Sequence, residues 1–338
     1  MERGIDLDRA AAVLAAGGLV AFPTETVYGL GADASSASAV ARIFAAKGRP
    51  TGHPLIVHLA PEAVLDDWAI DIPDVARRLA AIAWPGPLTI ILAKSERVAA
   101  ATTGGAATVG LRVPAHPIAQ ALLRTFGGGI AAPSANRFGA VSPTTADHVA
   151  HDLGDRVDYL LDGGACEVGV ESTIVDLSVW ATRGAVLLRP GGMARAAVEA
   201  VTGPLTAGTA ESPAAPGTLE SHYAPRALVI AVEPHELAIV LAAVRAQAHA
   251  SHFATGVAGP SRVGVLAPLS LTHDLPDDVR VRPLPEDVDG MARDLYAALR
   301  ELDETGVDVV IAALPPAIGL GEAVGDRLLR AAGPRRKP

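Results

Sequence analysis

Cations, hydroxyls and glycines recur along this chain in short blocks, and their types suit a ligand that carries negative charge. Lys47 and Arg49 stand two residues apart, just past a helical pattern and before an apolar run at 55–59. Two such cations can face phosphates, or can simply complement the C-terminal end of a helix dipole. Arg112 closes the apolar run 109–113, where a guanidinium can hold a carboxylate through two parallel hydrogen bonds. Ser134 and Asn136 follow the run 130–132, and Ser142 opens a further polar block. Small hydroxyls with strand-end amides can cradle phosphates, although Pro-Ser-Ala-Asn is also good turn chemistry. Upstream, FPTETVYGLGADA at 22–34 gathers Thr24, Glu25, Thr26, Tyr28, Gly29 and Gly31 behind a short apolar stretch. Hydroxyls and Gly-permitted backbone at the end of a strand fit a small polar ligand at the edge of an α/β sheet. Glu25 and Glu171 could position a ligand or Mg2+, but neither lies at a metal-ligand spacing.

Short apolar runs bounded by Gly, Pro or Ser must hold these residues. Strands are expected at 18–22, 55–59, 88–92, 109–113, 130–132, 159–161, 173–177 and 185–188. Helices are expected at 7–16, 36–47, 75–83, 118–126, 145–153 and 194–201, the first stopped by Gly17-Gly18 and the second by Gly48. Several strand pairs have no helix between them, so the sheet should be mixed. Residues 202–225 lose periodicity and are rich in Pro, Gly, Ser and Thr, a linker composition. Beyond them strands at 227–232, 263–267, 279–284 and 307–312 alternate with helices at 237–248 and 288–302, the pattern of a small three-layer α/β module. The tail GPRRKP reads as a solvated end.

The 338 residues exceed one typical domain. Half are hydrophobic and only 4% aromatic, which suits helices packed on sheets. No apolar run reaches the roughly 18 residues of a membrane span, and the acidic-mixed N-terminus lacks signal-peptide order, so a cytosolic protein is expected. Cys166 is the sole cysteine; an intrachain disulfide or Cys-based zinc cage is excluded, and its plain reading is a small residue at a Gly turn. The net charge is −9, with 16 Lys+Arg against 21 Asp+Glu up to residue 212 and 12 against 16 beyond. Neither part has the positive excess that tight phosphate-backbone binding needs. Lys47, Lys94 and Lys337 are the only lysines, so a Lys in KGRP stands out.

The blocks FPTETVYGLGADA, KGRPTGHPLIVHL, WPGPLTIIL, TVGLRVPAHP, APSANRFGAVSPTTADHV, ESTIVDL and LLRPGG follow one another in an order that resembles the Sua5/YrdC/YciO family, the threonylcarbamoyl-adenylate synthases. SHYAPRA at 221–227 resembles the segment joining a second domain in the longer Sua5 members. The resemblance implies a YrdC-like twisted mixed sheet with helices at 1–205, a linker or lid at 206–226, and a smaller Rossmann-like three-layer α/β domain at 227–338. It implies that L-threonine, bicarbonate (or CO2) and ATP give threonylcarbamoyl-AMP and pyrophosphate, for N6-threonylcarbamoyladenosine at position 37 of tRNA. Mg2+ would arrive with ATP, and a TsaD/Kae1-type transferase complex would take the product. Residue by residue it implies Lys47 and Arg49 as catalytic. Thr26, His58, Arg112, Ala132 and Ser172 would hold threonine. Arg49, His53, Thr108, Ser134, Asn136, Ser142, Arg189 and Tyr223 would hold ATP. The chain departs from the family at His53, where Asn is usual. His58 alternates in phase with Ile56 and reads equally as a satisfied core histidine, and Tyr223 as an apolar anchor for the linker. Two rivals share this inventory. One is a carbamoyltransferase with an embedded YrdC-like domain acting on carbamoyl phosphate, which would carry zinc-finger or acylphosphatase modules. The other is a double-stranded RNA-binding protein, against which the acidic balance speaks.

Overall fold

The computed structural model describes residues 1–219, 221–255 and 262–334; the last residues of the expected solvated tail, 335–338, lie outside them. The described chain divides into two compact units. Unit 1 holds Met1–Phe138 and Ser142–Thr218, and unit 2 holds Gly139–Val141 and Leu219–Pro338. The division thus falls inside the stretch whose composition reads as a linker.

Unit 1 is built on a mixed sheet of 12 strands. Its order is Glu2–Gly4, Tyr159–Leu161, Val20–Phe22, Gly29–Asp33, Ile130–Ala131, Ile56–His58, Thr108–Arg112, Leu88–Lys94, Thr173–Asp176, Val186–Arg189 and Thr206–Ala207, with Ala69–Ile70 beside Leu88–Lys94. The expected mixed sheet is therefore present, since parallel and antiparallel pairings both occur along it. Strand Gly29–Asp33 was not expected, because two glycines in five residues obscure a strand pattern. It forms because close packing leaves no room for side chains: a Cβ on Gly31 would meet Ile130 Cγ2 at 2.7 Å and Phe22 Cε1 at 2.9 Å. Thr206–Ala207 pairs with Val186–Arg189, so part of the aperiodic stretch is sheet edge.

The helices close where the sequence places stop signals. Asp6 accepts from Arg9 N at the start of helix Leu7–Ala15, and Ser36 from Ala39 N at the start of Ala37–Lys47. Gly48 ends the latter at φ 63°, a left-handed cap that favours glycine. One face of the central strands, with Val57, Ile90, Leu92, Val109 and Leu111, packs in the main core with Val40, Ile43, Phe44, Val75 and Leu79. A second cluster packs helices Leu7–Ala15 and Pro117–Phe126 over Val20, Phe22, Ile130 and Leu161. The remaining face of the central strands carries Ile56, Ile91 and Ile174, covered by Ala215. It is this face that also presents Thr108, Gly110 and Arg112, because residues two apart share a face.

Unit 2 is a parallel sheet of four strands in the order Leu228–Val232, Val309–Ala313, Val263–Pro268, Arg280–Leu284. Leu237 and Leu241 of helix Leu237–Thr255 pack with Val263, Val265, Val309 and Ile311. The other face meets helix Val288–Glu304, where Gly264 lies against Leu302. Three layers result, as expected.

Candidate active site

Glu25 and Arg112 form a buried ion pair, exposed by 7% and 4%, with Arg112 Nη2 donating to Glu25 Oε1 at 2.7 Å. Nη2 also donates to Thr26 Oγ1 at 2.9 Å, and Nε to the Gly86 carbonyl at 3.3 Å. Thr24 Oγ1 lies 2.8 Å from Thr26 Oγ1 and donates to the Val27 carbonyl, which fixes the turn that carries Glu25. Two positions of this cluster stay open: Glu25 Oε2 takes no partner though screened from solvent, and Arg112 Nη1 donates to no described residue. The two parallel hydrogen bonds expected of Arg112 toward a ligand therefore meet a guanidinium already half engaged. Nη1 is thus the open position of the guanidinium among the described residues, and Nη2 is engaged by Glu25 and Thr26.

His58 sits beside this cluster, its strand position paired with Arg112. It is buried with its ring edge-on to Phe22, and its Nδ1 is unpartnered. Burial, with the Arg112 charge second, pushes its pKa down to about 3, so the ring is neutral. Ser172 precedes strand Thr173–Asp176; its Oγ lies 2.8 Å from Thr89 Oγ1. Arg189 Nη2 donates to the Ser172 carbonyl at 2.8 Å, and Nη1 to the Pro216 carbonyl at 2.8 Å. The backbone at Gly191 makes this arrangement possible: a Cβ there would lie 2.3 Å from the Glu171 carbonyl oxygen. Ser142 Oγ donates to Glu171 Oε1 at 2.6 Å. Ala132 is buried, its N–H donating to the Ile56 carbonyl.

Lys47 is also buried, 3% exposed. Its ammonium donates to the carbonyls of Ser134 and Asn136, and at 3.4 Å to Asn136 Oδ1. Desolvation, then Arg49, holds its pKa well below the usual lysine value. These bonds tie Lys47 to the loop Ser134–Asn136. Arg49 Nη2 donates to the Pro54 carbonyl at 3.1 Å, and its guanidinium lies 5.7 Å from the Phe138 ring. His53 meets the same ring edge-on at 5.8 Å. Thr108 stands at the opposite end of its strand from Arg112, a distance of about 13 Å at strand rise.

The structure thus brings Thr26, His58, Arg112 and Ser172 to one end of the central strands, and ties Lys47, at the end of its helix, to the loop that carries Ser134 and Asn136. Tyr223 is placed in unit 2, 1% exposed with φ 61°. There it stacks on Tyr296 at 5.7 Å beneath the Arg327 guanidinium. Three contributors were missed by sequence reasoning. Thr89 was legible as the single hydroxyl in the apolar run Leu88–Leu92 of WPGPLTIIL. Ala215 and the Pro216 carbonyl left no signal, since a backbone acceptor has no residue signature. Among the described residues no group of three or more His, Cys, Asp or Glu could hold a metal ion, and no helix is long and apolar enough to cross a membrane.

Comparison with known proteins agrees with this architecture. Residues 12–191 match the Sua5–YciO–YrdC family model, described as "Telomere recombination", and residues 193–333 match "Threonylcarbamoyl-AMP synthase, C-terminal domain". The chain is 44% identical to a threonylcarbamoyl-AMP synthase of Pyrococcus abyssi, over 96% of this chain and 94% of that protein. It is 41% identical to one of Bacillus subtilis, over 97% and 93%. The crystal structure of P. abyssi Sua5 complexed with L-threonine superposes with a TM-score of 0.87 at 40% identity, covering 98% of this chain and 96% of that one. With both models matched in order and relatives aligned nearly end to end, the chain belongs to the Sua5–YciO–YrdC family, in its two-domain form.

Proposed function

We propose that this protein is an L-threonylcarbamoyladenylate synthase, a nucleotidyltransferase that converts L-threonine, bicarbonate (or CO2) and ATP to threonylcarbamoyl-AMP and pyrophosphate. The observation that carries the reading is near end-to-end kinship, through both domains, with proteins that bear this activity in their names. The threonine amine captures CO2 as a carbamate with release of a proton, or bicarbonate with release of water. A carbamate oxygen then attacks the α-phosphorus, and pyrophosphate leaves. Such a reaction requires two anionic reactants to be aligned and charge on the triphosphate to be relieved, more than it requires a covalent nucleophile.

The geometry supports a division of labour. Arg112 would take the threonine α-carboxylate at Nη1, with Thr26, neutral His58, Ser172 and the Ala132 backbone around the side chain. Arg49, His53, Thr108, Ser134, Asn136, Ser142 and Arg189 would hold ATP. Arg49 would act on the phosphates directly, and Lys47 through the loop it fastens. Glu25 Oε1 is committed to Arg112 and Glu171 Oε1 to Ser142, so the donor set fits Mg2+ carried in on ATP oxygens and not a protein cage. When bound, that ion would screen phosphate charge. The product would serve N6-threonylcarbamoyladenosine formation at tRNA position 37, in the cytoplasm, through a TsaD/Kae1-type transferase complex. The test is pyrophosphate release with each substrate omitted in turn. Release should require threonine and bicarbonate together and be poor with valine, because a pocket built for a hydroxyl rejects an analogue without one; equal turnover with valine or alanine refutes the assignment.

A further inference from the structure

The open positions in the Arg112 cluster have opposite character: one is a cationic N–H donor and the other an anionic acceptor on the neighbouring side chain. A buried carboxylate oxygen without a partner carries a desolvation cost that native structures rarely leave unanswered. The turn built by Thr24 does not answer it, since its hydrogen bonds go to Thr26 and the Val27 carbonyl. Resting on the synthase reading above, we propose that Glu25 is a substrate-binding residue: its Oε2 receives the α-ammonium of threonine while Arg112 Nη1 receives the α-carboxylate.

Charge bookkeeping in a dry pocket favours this arrangement. Glu25 and Arg112 cancel before the ligand arrives, and an α-amino acid is itself neutral overall, so the occupied cluster is neutral too. Two neighbours leave that sum unchanged: His58 is uncharged, and burial pushes the nearby Cys166 thiol up to about 12. A hydroxy acid with the same carboxylate and hydroxyl, but no amine, would leave one net negative charge buried beside Glu25. Buried unpaired charge is strongly unfavourable. The pair is therefore a selector for zwitterions, and Glu25 supplies the half that recognises the amine. A carboxylate whose only role was to hold Arg112 would lack this selectivity, because it would weaken all carboxylate ligands alike when lost.

The experiment is calorimetric titration of the full-length protein with L-threonine and with (R)-3-hydroxybutanoate, which is threonine without its amino group. The wild type should prefer threonine by on the order of tenfold or more, the scale of a charged hydrogen bond. Glu25→Gln should bring the two affinities close to each other, chiefly by weakening threonine. Glu25→Asp keeps the charge opposite Arg112 but withdraws the carboxylate by one methylene. It should also narrow the ratio, and it serves if the glutamine variant does not fold. Equal wild-type affinities, equal weakening of both ligands in the variants, or an unchanged ratio would each overturn the proposal while leaving the synthase reading intact. Absence of threonine binding by the wild type, together with absence of threonine-dependent pyrophosphate release, would overturn both.

Discussion

Replacing Arg112 with Met removes the guanidinium but keeps an apolar stem of similar length, and it should expose what the buried pair does for the fold. Three hydrogen bonds go with it, to Glu25, Thr26 and Gly86. The larger loss is electrostatic: Glu25, 7% exposed, is left as an uncompensated buried carboxylate. Breaking a buried pair from one side costs about 3–5 kcal/mol, a large share of the roughly 5–15 kcal/mol by which domains are stable. At about 2–4 °C per kcal/mol for a domain of this size, the first unit should melt roughly 6–20 °C lower. Adding Glu25→Gln removes the stranded charge, and the double variant should recover to within about 1–2 kcal/mol of the wild type, since buried pairs contribute little net stability. Threonine affinity should not recover with it. Urea unfolding of the single and double variants, beside calorimetry with threonine, measures both quantities. The reasoning fails if Arg112→Met unfolds within about 1 kcal/mol of the wild type. It also fails if the double variant is no more stable than the single one.

Lys47→Gln should leave carbonyls of Ser134 and Asn136 short of donors, at about 1–3 kcal/mol for each one stranded, and in binding titrations should weaken ATP more than threonine. His58 is held neutral with a pKa depressed to about 3 against an ordinary 6.5, so between those values the unfolded chain binds the extra proton. Its contribution is full above pH 6.5 and declines as pH falls toward 3, with a slope of at most about 1.4 kcal/mol per pH unit; unfolding free energies of His58→Asn should show a shallower pH dependence there. Gly191→Ala forces a Cβ against backbone atoms of Glu171, Ser172 and Thr173, and should reduce activity together with a loss of about 1–3 kcal/mol in thermal or urea unfolding. A fragment ending at Thr218 should resist proteolysis better than one ending at 205, because Thr206–Ala207 pairs in the sheet and Pro216 caps Arg189.

The sequence was legible where chemistry coincides with punctuation. Gly48 stops a helix directly after Lys47, and Arg112 ends a strand that its apolar alternation announces, so both could be placed and given a partner class in advance. Strand Gly29–Asp33 was illegible because the residue type that permits its packing is also the type that marks turns. Lys47 was legible as a cation in a basic loop, but its hydrogen bonds to three oxygens in a loop some 87–89 residues away are tertiary facts that no local pattern carries. Glu25 could be flagged as interesting, but its ion pair is a tertiary fact about a residue 87 positions distant.

The strand order carries a consequence for how the enzyme comes into being. Among the described residues Glu2–Gly4 pairs with Tyr159–Leu161 alone, and the Arg112 end of the sheet also draws on Ser172 and Arg189. Chain emerging from a ribosome would hold an unfinished sheet with open edges until residues 159–161, 173–176 and 186–189 have been made. Closure of loops this long slows folding, so those strand edges of the first unit stay open for longer before they are paired. Its site would then mature as the final act of folding, not as a pocket carved into an already finished scaffold.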